Sequence, residues 1–144
     1  MVKPTILIVP GSFSSHGLYQ NIVDKLRAKG YPAVATGLPS TQKRYPSEPA
    51  TMQEDASQIR AVTEALINQG KEVVVVCHSY GGTPTTEALE GVAVKRLIYL
   101  TAVVPRIGES QLKAMNTSGG LINNAPVRPF RRHCRKCNAD ERAG

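Results

Sequence analysis

The sequence predicts an α/β domain in which helices pack on the faces of a parallel sheet. Apolar runs typical of buried strands alternate with segments whose apolar residues recur at helical spacing. One of these runs, at 73–77, leads almost directly into a serine that two glycines soon follow, as in a tight strand-to-helix turn. The length of 144 residues suits one domain with a substantial core.

The first strand and the first helix are predicted within the first thirty residues. Thr5–Val9 is an apolar run, and Pro10 and Gly11 close it. Gly30 offers a C-terminal stop for a helix. That helix is predicted because Leu18, Ile22 and Leu26, with Tyr19 and Val23 beside them, recur at helical spacing.

A second strand and a second helix follow. Residues 31–36 form a weaker strand, and residues 37–50 form a loop that holds three of the ten prolines. A loop of this length often borders a functional site. Thr51 and Glu54 have the spacing of a capping box, in which side chains satisfy free N–H groups at a helix start. We expect Ile59, Val62 and Leu66 to form the buried stripe of this helix and Gly70 to end it.

One more helix and two more strands bring the predicted sheet to about four strands. A strand begins at 72–76 and delivers Ser79. Pro84 lies in or near the first turn of the next helix, where its missing N–H is tolerated, and that helix runs to about Gly91. The last strand is predicted at 96–104.

The chain changes character near residue 115. We predict a partial α/β domain at 1–115 and a basic, irregular or disordered tail at 116–144. The first part carries 12 basic and 9 acidic side chains and the second 6 and 2, so the tail supplies +4 of the net charge of +7. The tail is open to three interpretations: a disordered extension, an interaction segment, or a segment foreign to the ancestral fold. Because a charge run is more often a solvated surface, we do not predict nucleic-acid binding.

Composition also bears on compartment and cofactors. No apolar run approaches the ~20 residues of a membrane span, and the first residues do not resemble a signal peptide. Three cysteines make no disulfide framework, so we expect a cytoplasmic protein without membrane contacts. His133, Cys134 and Cys137 have metal-binding chemistry, but a structural zinc site takes four ligands and a second pair is missing. We predict neither metal nor cofactor.

Ser79 is the strongest candidate for chemistry. A nucleophilic serine needs its Oγ on a strained strand-to-helix turn, clear of the sheet, with the following N–H groups facing a developing oxyanion. The small residues Cys77, Gly81 and Gly82 leave room for such a turn. The alternative is that Ser79 only caps the helix that follows.

The chain resembles the N-terminal part of an α/β-hydrolase, in the branch of small esterases, hydroxynitrile lyases and methylesterases. The resemblance covers about residues 4–112 and rests on the segments 8–13, 30–40, 78–82 and 97–110. It implies serine-dependent hydrolysis of a small ester-type substrate, with Ser79 as nucleophile. It also implies an oxyanion hole formed by the backbone N–H groups of Ser12 and Tyr80, although Gly11-Ser12 is also explained by an ordinary turn. Cys77 stands where the family usually has glycine.

The same resemblance implies a catalytic acid and a histidine after later strands, and the sequence shows no further buried strand after Val104. No base is assigned among the histidines. His16 suits a surface position, strand alternation turns His78 away from Ser79, and no strand positions His133. We therefore expect activity that is weak or absent.

The alternative is a non-catalytic protein of the same fold that binds a small ligand or a partner. A nucleotide-dependent enzyme is disfavoured, because the loop after the first strand has neither the G-x-G-x-x-G pattern nor a phosphate-binding lysine. The last strand would leave an open apolar edge, through which the chain could self-associate.

Overall fold

A computed structural model describes residues 2–106 and 108–117. Its sheet has four parallel strands in the order β2-β1-β3-β4. The strands are β1 (Thr5–Val9), β2 (Ala33–Ala35), β3 (Val73–His78) and β4 (Arg96–Leu100). The predicted α/β class, with a parallel sheet of about four strands, is confirmed. The predicted tail at 116–144 lies almost wholly outside the described residues and stays a prediction.

Four helices accompany the sheet. They are α1 (Gln20–Ala28), α2 (Met52–Asn68), α3 (Gly82–Ala88) and α4 (Gln111–Thr117). Short 3₁₀ turns lie at His16–Tyr19, Pro39–Thr41 and Ser79–Gly81. The sequence did not predict α4. Among the described residues, no helix has the length and hydropathy that a membrane span requires.

The register of the strands decides which loops meet. Val76 of β3 lies opposite Ile8 of β1 on one side and Ile98 of β4 on the other. Because these strands run parallel, the segments that follow them leave the sheet at the same edge, side by side. In open α/β sheets this carboxyl edge is where ligands bind.

The main core lies between the sheet and the helices α2 and α3. All five residues of β1 are buried, as are most of those in β3, so the central strands are apolar on both faces. Helix α2 contributes Ile59, which is fully buried, while Val62 and Leu66 pack against the same cluster with partial exposure. The predicted stripe of α2 is confirmed.

The opposite face of the sheet is only partly covered. Helix α1 buries Val23, and the preceding turn buries Tyr19, but Leu18 is 72% exposed and Ile22 46% exposed. The expected apolar stripe of α1 is therefore wrong in part, because the helix packs mainly along β2. Its remaining apolar side chains border an apolar groove, the α1 groove, lined by Ile6, Ile8, Ile22, Leu26, Tyr31, Val74, Val76 and Ile98.

Strand β4 forms one edge of the sheet. Within the described residues it pairs only with β3, and Ile98, Tyr99 and Leu100 are 36–49% exposed. The strand ends at Leu100 rather than at the predicted Val104. Thr101 explains this difference, because its φ of 44° breaks the extended conformation that a strand requires.

The start of α2 has the predicted capping box. The Thr51 Oγ1 accepts a hydrogen bond from the Glu54 N–H at 3.2 Å, and a Glu54 carboxylate oxygen accepts one from the Thr51 N–H at 2.8 Å. Two neighbours lower the pKa of Glu54. The larger effect comes from the Thr51 N–H, and the next comes from Arg44, which lies 2.7 Å from the other carboxylate oxygen. The box fixes where the helix begins.

We expect Thr51→Ala to lower the free energy of unfolding by about 1 kcal/mol, because an N–H group at the helix start loses its acceptor. Urea unfolding measures the change, and Ser57→Ala, an exposed substitution on the same helix, is the control.

In Glu54→Gln the loss of unfolding free energy should be complete above the ordinary glutamate pKa of about 4.3 and should vanish as pH falls through the lowered pKa of folded Glu54. Equal loss at all pH values would contradict this role of the charge.

Candidate functional site

Ser79 lies at the junction between β3 and α3. It follows the last residue of the strand, opens the 3₁₀ turn Ser79–Gly81, and has a φ of 51°. This is the left-handed region, which side chains other than glycine rarely adopt. Helix capping by Ser79 is not seen, because neither the turn nor α3 has a side-chain cap bond. The backbone at Ser79 is therefore strained, as the predicted strand-to-helix turn requires.

Two further residues share this backbone conformation. Phe13 has a φ of 56° and Thr101 a φ of 44°. They follow β1 and β4, the two neighbours of β3, so the strained residues lie in three adjacent segments at the carboxyl edge of the sheet. Strain of this kind clusters at functional sites and persists where the surrounding packing enforces it. This edge is the candidate functional site.

Gly81 and Gly82 allow close packing around the turn. A Cβ on Gly81 would collide with the Pro10 carbonyl oxygen at the end of β1, and one on Gly82 would collide with the Val103 carbonyl oxygen beyond β4. The backbone of the turn is thus wedged between the segments that follow the two neighbouring strands. Any side chain at either position would push these segments apart.

The loop after β1 lies against Ser79. A Cβ on Gly11 would stand 3.1 Å from the Ser79 Cβ and 3.1 Å from the His78 Nδ1, so the loop that carries Ser12 is in near contact with the turn. Within the described part of the chain, the Ser12 N–H has no acceptor. The structure therefore places the loop that carries Ser12 beside the turn that carries Ser79 and Tyr80.

Tyr19 fastens this loop to the strand. Its hydroxyl oxygen accepts a hydrogen bond from the Gly11 N–H at 3.0 Å and lies 2.7 Å from the His78 Nδ1. Because the hydroxyl accepts from Gly11, its own proton is free to be donated to the His78 ring. His78 thus has a structural partner in Tyr19. The sequence did not point to Tyr19, whose partners are 8 and 59 residues away.

A second anchor holds the peptide unit between Ser79 and Tyr80. The Ser79 carbonyl oxygen accepts a hydrogen bond from the Val103 N–H at 2.9 Å. In a trans peptide the C=O and N–H bonds point in opposite directions. The Tyr80 N–H is therefore directed away from Val103, and rotation of this peptide would break the bond to Val103.

The Tyr80 side chain ends at a buried carboxylate. Its hydroxyl donates to the Asp55 Oδ2 at 2.8 Å, and Ser40 donates to the same carboxylate through its N–H at 2.9 Å and its hydroxyl at 2.5 Å. Burial, followed by the hydrogen bond and charge of Asp55, raises the pKa of Tyr80 well above its ordinary value. Sequence reasoning missed Asp55. The available signal was its position four residues before Ile59, on the apolar stripe of α2.

A protein-family model described as the alpha/beta hydrolase family matches residues 6–137. The chain belongs to the α/β-hydrolase family. It is 52% identical over 126 residues to a probable hydrolase of Phoma sp., a match that covers 85% of this chain and 52% of that protein. It is 39% identical over 120 residues to an α/β hydrolase of Aspergillus novofumigatus, covering 76% of this chain and 47% of the other. The chain thus spans about half the length of these curated relatives.

Solved structures show the same α/β-hydrolase fold. Tomato methylketone synthase I complexed with 2-tridecanone superposes with a TM-score of 0.65 at 19% identity, over 90% of this chain and 55% of that one. A polyneuridine aldehyde esterase variant superposes with a TM-score of 0.63 at 21% identity, over 75% of this chain and 44% of the other. At these identities the likeness establishes the fold alone.

Cys77 occupies the position where α/β-hydrolases usually have glycine before the serine. The side chain is fully buried, and its Sγ lies 3.5 Å from the Ile98 carbonyl oxygen of β4. Burial raises the pKa of the Cys77 thiol to about 12. The thiol is therefore neutral at physiological pH and acts as a small packing group.

The sequence assigns no role as base or metal ligand to His16, His133, Cys134 or Cys137. His16 is exposed in the turn before α1 and borders Gly37. His133, Cys134 and Cys137 lie outside the described residues. Within 2–106 and 108–117, no group of three or more His, Cys, Asp or Glu residues is arranged to hold a metal ion.

We expect Gly81→Ala to destabilise the protein by about 1–3 kcal/mol, because the new methyl group overlaps the Pro10 carbonyl and cannot be accommodated without moving β1. The control is Gly17→Ala, whose Cβ would meet only the Ser15 Oγ at 3.7 Å. Thermal or urea unfolding compares the two variants. Equal stabilities would show that the turn does not need close approach at Gly81.

Proposed function

We propose that Ser79 is the nucleophile of a serine-dependent hydrolase that acts on a small ester-type substrate. The observation that carries the proposal is the left-handed backbone of Ser79 at the end of a central strand, in contact with the loop after β1. Cys77, Gly81 and Gly82 shape the turn, and the backbone N–H groups of Ser12 and Tyr80 form the oxyanion hole. Membership of the α/β-hydrolase family supports these roles.

The proposed chemistry begins with attack of the Ser79 Oγ on the acyl carbon. The carbonyl oxygen takes the electron pair and becomes an oxyanion, which the two N–H groups stabilise. Collapse of this intermediate expels the alcohol and leaves the acyl group on Ser79, and water then releases the acid. The serine proton must pass to a base and then to the leaving alcohol, because a protonated hydroxyl is a weak nucleophile.

No base is assigned among the residues that the structure describes, and we propose that the activity of this chain is weak or absent. In the described residues the Ser79 Oγ makes no hydrogen bond to a histidine. Oxyanion stabilisation and substrate binding alone can leave about 10³- to 10⁴-fold acceleration over water when triad members are removed. A slow, stoichiometric reaction at Ser79 is therefore expected before multiple turnover.

A fluorophosphonate probe tests the nucleophile. We expect labelling that maps to Ser79 by peptide mass spectrometry, that disappears in Ser79→Ala, and that persists in Ser57→Ala, a matched serine substitution on the surface of α2. Labelling that survives in Ser79→Ala, or its complete absence from the folded wild-type protein, would contradict the proposed nucleophile.

The non-catalytic alternative is a protein that uses the same edge to bind a small ligand or a partner. One structural neighbour carries 2-tridecanone, so this ketone is a reasonable first probe. A rise in melting temperature with 2-tridecanone, together with no labelling of Ser79, would favour this alternative over the hydrolase.

We also propose that the chain self-associates through β4. The exposed side chains of Ile98, Tyr99 and Leu100 border a strand edge that is unpaired within the described residues, and the α1 groove adjoins it through Ile98. A second copy of the chain would cover apolar surface and complete the hydrogen bonds of the edge.

Sedimentation velocity tests this proposal. We expect the wild-type protein to gain mass with concentration and Ile98→Lys to shift it toward monomer, because a charge on β4 opposes pairing. Leu112→Lys introduces the same charge at an exposed site on α4 and is the control. A wild-type protein that stays monomeric across the concentration range would overturn the proposal.

A further inference from the structure

Asp55 is a carboxylate in a position where an apolar core normally excludes a charged group. It is 0% exposed and lies on the face of α2 that packs on the sheet. The ion pairs of the described residues join Arg44 to Glu54, Arg60 to Glu64 and Lys95 to Glu72, so none of them involves Asp55. A buried charge of this kind is costly, and an apolar residue of similar size would suit the stripe better.

Hydrogen bonds offset the cost of burial. Asp55 accepts three, two from Ser40 and one from Tyr80, and it lies near the start of α2, where the helix dipole favours a negative charge. These donors come from the loop after β2 and from the turn after β3. The carboxylate therefore joins three separate segments of the chain at one point.

Through the hydrogen bond of its hydroxyl, Tyr80 connects the Asp55 carboxylate to the backbone next to Ser79. The peptide between Ser79 and Tyr80 is held on one side by the Val103 N–H, and the Tyr80 side chain is held on the other by Asp55. A residue fixed at both its backbone and the end of its side chain has little freedom to rotate. The direction of the Tyr80 N–H is thus set by two hydrogen bonds that lie on different elements.

We propose that Asp55 is a positioning residue, which acts through the Tyr80 hydroxyl to keep the Ser79–Tyr80 peptide oriented for oxyanion binding. Ser40 couples the same carboxylate to the loop after β2, so that loop and the turn move together. The catalytic part of this proposal rests on the proposed function of Ser79, whereas the orientation of the peptide is independent of it.

Hydrogen exchange at the Val103 N–H measures that orientation, because this group donates to the Ser79 carbonyl of the same peptide. We expect Tyr80→Phe, which keeps the ring and removes only the hydroxyl, to speed this exchange roughly tenfold relative to the Lys95 N–H. The Lys95 N–H donates to the Val73 carbonyl at the other end of β3, and it is the reference site because it lies far from the Tyr80 hydroxyl along the strand. Tyr99→Phe is the matched control, since the Tyr99 hydroxyl bonds Thr86 and not Asp55.

The rate of fluorophosphonate labelling measures the consequence at Ser79. Tyr80→Phe should lower the rate constant roughly tenfold at equal folded fraction, and Tyr99→Phe should leave it unchanged. Ser40→Ala removes one donor to Asp55 and leaves Tyr80 intact, so it should shift both measurements in the same direction by less. It also serves as the test if Tyr80→Phe does not fold.

The outcomes separate this proposal from the proposed function. Faster exchange at Val103 with no labelling of the wild-type protein would support the positioning role and refute the nucleophile. Labelling of the wild-type protein, with exchange and rate in Tyr80→Phe and Ser40→Ala equal to those in Tyr99→Phe, would refute the positioning role alone.

Discussion

The pairing of β3 with a parallel neighbour on each side governs the rest of the structure. Five residue pairs align it with β1 and five align it with β4, so the three strands reach the carboxyl edge together. A slip of one residue would place the buried side chains of β3 on the wrong face and carry the serine turn with them. The loops after β1 and β4 brace that turn only because the register brings them beside it. The local strain at Ser79 is thus enforced by the whole sheet.

The sequence predicted those features that depend on local chemistry. The apolar runs of β1 and β3, the capping box at Thr51 and the strand-to-helix turn at Ser79 all follow from residue types at short spacing. The family prediction is confirmed for the same reason, because it rests on segments that each build one local structure. Features that depend on the placement of distant segments were harder to predict. Tyr19 and Asp55 owe their roles to hydrogen-bond partners on other elements. The residues that surround each of them in the sequence do not indicate which residues those partners are.

The incorrect predictions have physical causes of the same kind. An apolar stripe indicates that a helix packs on something, but it does not say how much of the stripe is covered. Leu18 and Ile22 fit the predicted stripe, but Leu18 falls in the 3₁₀ turn before α1 and is exposed. Ile22 remains partly exposed because the helix packs mainly along β2. Likewise, the apolar run after Leu100 suits a strand, and only the backbone of Thr101 reveals the early end. Both differences lie where surrounding structure overrides local propensity.

The two requirements of serine hydrolysis depend on different parts of a fold. Stabilising an oxyanion needs backbone N–H groups held in fixed directions, and here packing around Gly11, Gly81 and Gly82 together with the Val103 bond can supply that rigidity. Moving a proton needs a side chain whose pKa and position suit the reaction, and local packing at the turn does not create one. A chain can therefore retain the backbone geometry that stabilises an oxyanion without a side chain that moves the proton. The serine turn identifies the fold more securely than it identifies an activity, because its strain and glycine contacts stabilise the same backbone whether or not a base is present.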